Sequence, residues 1–138
     1  MSLICDFARF PPQRSAPVQL EIRQQLDADG LFSLRAFSGE REVAICLATP
    51  LAKLSDDPRA ASIGYIEWLW VADDQRRRGV ARYMLSRTLA YLHSNGMLAA
   101  WLTTGASNWP AQALYLALGF EIVDTSASYE RTSSSPGS

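Results

Sequence analysis

The run Ile63-Gly-Tyr-Ile-Glu-Trp-Leu-Trp-Val71 constrains the fold more than any other segment. It is apolar on both faces, which reads as the most buried strand of a sheet. Asp73-Asp74 ends it. From Gly79 to Asn95, the residues Ala81, Leu85, Thr88 and Leu92 recur at steps of four, three and four. Met84, Leu89 and Tyr91 widen that stripe, so the segment reads as an amphipathic helix. Asn95-Gly96 supplies its stop. Residues 97–102 then read as a second buried strand. A strand, a helix and a strand in that order form a crossover unit, so the two strands are expected to be parallel neighbours.

The flanks read differently. Val18, Leu20 and Ile22 alternate with Gln19, Glu21 and Arg23, giving a half-buried strand over residues 18–23. Residues 27–30 (Asp-Ala-Asp-Gly) are turn chemistry. Strands over 31–37 and 42–48 follow as antiparallel hairpins, and 50–60 reads as a polar loop. After the crossover, Asn108 precedes a helix with Pro110 in its first turn, ending at Leu118-Gly119. Residues 121–123 and 126–131 read as closing strands. Pro11, Pro12 and Pro17 make residues 1–17 an irregular segment, and 133–138 (SSSPGS) a solvated, flexible tail. The expectation is one α/β (α+β) domain over 18–132. Its sheet is mixed and mostly antiparallel, with six to seven strands and a central β-α-β crossover.

Charge narrows the partners. The formal net charge is −1, and twelve of the thirteen basic residues are Arg. Nucleic-acid binding through bulk charge is not expected. No apolar stretch approaches the roughly 20 residues that cross a bilayer. Two cysteines without metal-ligand spacing and a single His argue against a metal site or a Ser–His–Asp triad. A reducing, cytoplasmic setting is the default.

Against this background Arg76-Arg77-Arg78-Gly79 stands out. Cations at a helix N-terminus are unfavourable by about 0.3–1 kcal/mol. A bound anion would reverse that. The first N–H groups of a helix lack intrahelical partners, and Gly79 and the small Ala81 let a phosphate approach the backbone. The segment therefore reads as a pyrophosphate cradle, with a solvated Arg run as the plainer alternative. There is neither GxxxxGK[ST] nor GxGxxG.

These residues resemble the GNAT superfamily of acyl-CoA-dependent N-acetyltransferases. Its [Q/R]-x-x-G-x-[G/A] signature stands here as Arg76-Arg-Arg-Gly79-Val-Ala81 after a central strand. A second element, N-x-x-A-x-x-x-Y…GF, stands as Asn108-Trp-Pro-Ala111-Gln-Ala-Leu-Tyr115 with Gly119-Phe120. The resemblance covers residues 65–130, about half the chain.

It implies acetyl transfer from acetyl-CoA, as co-substrate, to an amine on a small molecule or a protein, with no metal. Main chain of Arg76, Arg77, Arg78, Gly79, Val80, Ala81 and Arg82 would hold the CoA pyrophosphate. Leu69, Trp70 and Val71 would pair with the pantetheine arm like an added strand. Asn108 would meet the cofactor near its pantetheine, and the strands at 63–71 and 97–102 would splay to admit it. A strand amide near 69–71 would stabilise the developing oxyanion.

Attack on a thioester needs a neutral amine, and neutralising a lysine-like amine at pH 7 costs roughly 4–5 kcal/mol. Glu67, a carboxylate in an apolar strand, is the candidate base, acting through water, because desolvation would raise its pKa. Pairing with an Arg, or facing solvent, is the other reading. Tyr115 is the candidate acid at the thioester sulfur, against a plain core aromatic. His93 reads as a helix C-terminal charge partner, and Cys46 as a small buried hydrophobe. The four Trp read mostly as core, but Trp68, Trp70, Trp101 and Trp109 cluster around the proposed cleft, with an apolar acceptor pocket as the lesser reading.

One departure from the family is visible. Only residues 24–30 separate the first two expected strands, too few for the usual first helix pair. Either those helices are absent, or the chain is half of a longer tandem protein, or a partner subunit covers the acceptor site. A homodimer or a companion domain would serve. An inactive CoA-binding or interaction domain on the same scaffold is the alternative reading.

Overall fold

The structure, a computed structural model, describes residues 1–124. Seven strands form one mixed sheet in the order β2-β3-β4-β5-β6-β1-β7. The strands are β1 (Ser2–Asp6), β2 (Glu21–Leu26), β3 (Phe32–Ser38), β4 (Arg41–Pro50), β5 (Ile63–Val71), β6 (Ala99–Thr103) and β7 (Glu121–Asp124). Helix α1 (Val80–Ser94) bridges β5 and β6, and α2 (Trp109–Ala117) bridges β6 and β7. The β5–β6 pairing is parallel and all the others are antiparallel. The expected crossover and fold class are both present.

Both helices pack on one face of the sheet. Gly64 admits α1, since a Cβ there would lie 2.6 Å from Leu92 Cδ2. Cys46 on β4 meets Thr88 of α1, and Tyr115 of α2 lies close enough to feel the Cys46 thiol. Between sheet and helices lies the core, which includes Leu34, Met84, Leu85, Leu89, Leu102 and Phe120.

Several expected boundaries moved. The first hairpin strand runs 21–26 rather than 18–23, because Val18 and Leu20 pack against the core without joining the ladder. The loop at 50–60 contains two short 3-10 turns, Leu51–Lys53 and Pro58–Ser62. The expected strand at 126–131 and the tail at 133–138 lie outside the described residues.

The larger correction concerns the amino-terminal residues, expected to be irregular. Ser2–Asp6 is a strand inserted between β6 and β7, pairing Leu3 with Leu102 on one side and Ile122 on the other. Its pattern alternates, with Leu3 and Cys5 buried. The proline argument applies from Pro11 onward and says nothing about the residues before it. Residues 7–20 then form a strap over α1. Phe7 N–H donates to the Leu98 carbonyl, Phe10 packs on Gly119, and the Ser15 and Ser86 hydroxyls lie 2.6 Å apart.

Three measurements test this packing. Leu3→Ala should cost about 2–5 kcal/mol in urea unfolding, the range for a buried leucine. A residue in an irregular arm would shift stability by about 0.5 kcal/mol or less. Burial pushes the thiols up, Cys5 to about 11 and Cys46 to about 12. Both are free and buried, so a disulfide-exchange reagent at pH 8 should titrate neither until the protein is unfolded. Because these folded-state values lie above the unfolded ones, the stabilisation is complete below about pH 8.5. It is lost as pH rises toward 11–12, which an alkaline unfolding curve would register.

Candidate active site

Strands β5 and β6 pair only at Ile63↔Ala99, Gly64↔Ala100 and Tyr65↔Trp101. Beyond Tyr65, β5 continues to Val71 with a ladder to β4 alone. The strands part there, leaving one lip of unpaired main chain on β5.

A bulge accompanies the parting. Leu47 opposes Trp68 and Ala48 opposes Ile66, so Glu67 is the extra residue with no partner on β4. A bulge of this kind bends its strand and increases the local twist. A cleft of about 400 Å³ fills the gap. Residues 65–69 line one wall, residues 102–104 the other, with Asn108 and Tyr115. The Tyr65 hydroxyl lies 3.3 Å from the Thr103 hydroxyl across the gap.

Glu67 differs from expectation. It is exposed, as are Trp68 and Trp70, so the second half of β5 is not buried on both faces. The desolvation argument for Glu67 therefore fails. What places this carboxylate in the cleft is the bulge. Tyr115 is buried, and burial, then the nearby Cys46 thiol, raise its hydroxyl above the ordinary phenol range. It stays protonated throughout the working pH range, as a proton or hydrogen-bond donor requires.

At the far end of β5 the chain turns through a 3-10 segment, Asp73–Gln75, into the arginine loop. Arg77 (φ 64°) and Gly79 (φ 79°) both adopt the left-handed conformation. For arginine that is uncommon, and Gly79 meets it without a Cβ penalty. Among the described residues, the N–H groups of 77–82 find no acceptor, while Gly79 C=O already accepts from Tyr83. Consecutive amides in such a turn, ahead of a 15-residue helix, form a concavity of the kind that suits an anion.

The arginines divide their work. Arg76 Nε donates to the Val71 carbonyl at 3.1 Å, and its guanidinium pairs with Asp73 at 3.0 Å. Its side chain thus braces the loop. Arg77, Arg78 and Arg82 are exposed and make no ion pair among the described residues. Arg41 bonds to Asp74, tying β4 to the same loop.

The expected site residues thus fall into two regions along β5. Glu67, Leu69, Asn108 and Tyr115 share the cleft. Residues 76–82 lie past the strand's end, with Trp70 and Val71 between. Asn108 also caps α2, accepting from the Ala111 N–H at 3.4 Å. His93 lies elsewhere, against Phe7 at 5.4 Å, and Asn95 caps the end of α1. Sequence reasoning missed Tyr65, Thr103 and Thr104 in the cleft, whose identities carry no motif. It also missed the bulge, whose one signal was a lone carboxylate in an apolar run. Among the described residues no three His, Cys, Asp or Glu side chains are grouped to hold a metal, and no helix is long and apolar enough to cross a membrane.

Known proteins share this fold. The chain is 33% identical over 76 residues to the mycothiol acetyltransferase of Corynebacterium kroppenstedtii. That match covers 55% of this chain and 21% of the longer relative, so the chain spans only a fraction of that protein. An aminoglycoside N-acetyltransferase solved in complex with CoA superposes with a TM-score of 0.67 at 18% identity, covering 80% of this chain and 93% of that one. A tandem GNAT protein from the clavulanic acid biosynthesis pathway gives 0.70 at 12% identity, over 87% of this chain and 49% of that one. At such identities the likeness is one of fold. The model of the acetyltransferase (GNAT) family matches residues 2–120. The chain, with its parted strands and amide-lined loop, belongs to the acetyltransferase (GNAT) family.

Proposed function

We propose that the protein transfers an acetyl group from acetyl-CoA to an amine. The observation that carries this reading is the parting of β5 from β6, with Glu67, Asn108 and Tyr115 around the gap and free amides at one end. The residues fit the co-substrate. Amides of 77–82 suit a pyrophosphate, with Arg77, Arg78 and Arg82 as mobile charged donors. The lip at Leu69, Trp70 and Val71, where the Val71 carbonyl already accepts from Arg76, suits an amide-bearing arm laid along it as a strand, and Asn108 faces that arm.

Acetyl-CoA supplies a thioester activated toward nucleophiles. Glu67, exposed in the cleft, accepts the proton of the incoming ammonium, directly or through water. A main-chain N–H of the β5 lip donates to the carbonyl oxygen as charge develops there. Tyr115 donates to the departing sulfur, and its raised pKa keeps that proton available. A thiolate with a parent pKa near 8.5 needs only modest help to leave. A cytoplasmic location suits the two free thiols. Residues 18–132, together with the β1 strand, form the catalytic domain.

Two measurements test the reading. Calorimetric titration should give a binding isotherm with acetyl-CoA that Gly79→Val weakens at least about tenfold, since a Cβ strains the left-handed turn. No heat at millimolar ligand would overturn the assignment. In a thiol-release assay, Tyr115→Phe and Glu67→Gln should each lower kcat about tenfold or more. The Glu67→Gln rate should recover as pH climbs toward the amine pKa near 10.4, because free amine then accumulates unaided. An inactive binding domain would show acetyl-CoA affinity without turnover of any amine.

A further inference from the structure

The cleft opens onto a surface that the acyl-donor side does not use. Cys46 points toward α1, so its neighbours Ile45 and Leu47 point to the opposite face of the sheet. Their register partners on β5 are Trp70 and Trp68, which therefore stand on that face as well. Among the described residues no helix covers it. Trp68 is 55% exposed and Trp70 37% exposed, although tryptophan is ordinarily well buried. Side chains two apart on a strand stand roughly 7 Å from each other, so the two indoles make one continuous apolar shelf. Trp68 also lines the cleft next to Glu67, and the shelf leads directly to that carboxylate.

Charge limits what the shelf can take. Glu67 is the one charged residue lining the cleft, and it makes no ion pair among the described residues. The carboxylates that β2 and β4 present on the same face, Glu21 and Glu42, are each bonded to an arginine, Arg23 and Arg35. A polycation needs several free carboxylates, and here one is free. A flat apolar group, by contrast, gains stacking area on an indole.

Building on the acetyl-transfer reading above, we propose that the acceptor is a small primary monoamine carried on a flat apolar body. The body stacks on Trp68, Trp70 extends the shelf, and the single ammonium lies at Glu67. Glu67 takes one proton from the ammonium, the C–N bond forms as the C–S bond breaks, the departing thiolate takes the Tyr115 proton, and the second proton shed by nitrogen as the amide forms restores Tyr115. The products are a neutral acetamide and a free thiol, with no net oxidation or reduction.

The test compares phenethylamine, spermidine and kanamycin as acceptors in thiol release from acetyl-CoA. The expected kcat/KM for phenethylamine exceeds that for either polycation at least about tenfold, and Trp68→Ala raises its KM by a similar factor. Acetyl-CoA affinity of Trp68→Ala, read by calorimetry, should be unchanged, and Trp68→Phe should restore most of the KM. Turnover of spermidine or kanamycin equal to or above that of phenethylamine overturns the acceptor assignment while leaving acetyl transfer standing. An unchanged KM in Trp68→Ala does the same. A wild-type protein that binds no acetyl-CoA overturns the underlying reading instead. If Trp68→Ala loses acetyl-CoA binding, the wild-type preference and Trp68→Phe decide.

Discussion

One extra residue in one strand organises the site. Glu67 enters β5 without a partner on β4, and two residues earlier β5 makes its last bond to β6. The bulge keeps the β4 ladder intact on both sides while turning the strand's other edge away from its parallel neighbour. Unpaired main chain is ordinarily a liability in a sheet. Here it faces a cleft, and a strand-like ligand arm can satisfy it. The same bulge reverses which side chains face the helices, putting Trp68 and Trp70 on the open side and Glu67 at the gap. Without it, β5 would be the regular buried strand that its composition suggests.

How far this could be read in advance depends on the kind of information each element needs. The β5–α1–β6 unit was legible, because its period and its stop signals are local. The arginine loop was legible in part. Gly79 and the helix start marked the left-handed turn ahead of α1, but Arg76 turning back to Val71 and Asp73 is a tertiary contact that no spacing encodes. Glu67 was singled out for the wrong reason. An isolated charge in an apolar run suggests desolvation, whereas an exposed bulge explains it equally well in sequence terms. Tyr115 needed its motif, since a tyrosine among leucines on a short helix is otherwise ordinary core. The β1 strand was missed because five residues show too little alternation to outweigh prolines downstream, and its partners lie about 100 residues away.

The strap at 7–20 follows from that strand. A chain that enters the sheet between β6 and β7 must cross to β2 on the far edge, and the route over α1 is fixed by Phe7, Phe10 and Ser15. Residues 17–20 then pass beside Gln75, Arg78 and Val80 at the arginine loop. Proline-rich backbone suits this course, because few of its groups need partners.

The β1 register also has a practical bearing. The Thr104 N–H donates to the Met1 carbonyl at 2.9 Å, and Thr104 is one wall of the cleft. Anything fused ahead of Met1 therefore emerges at the rim of that cleft. An affinity handle grafted there would shade the very opening that an enzymologist wishes to measure, and kinetics recorded before and after its proteolytic removal should not be pooled.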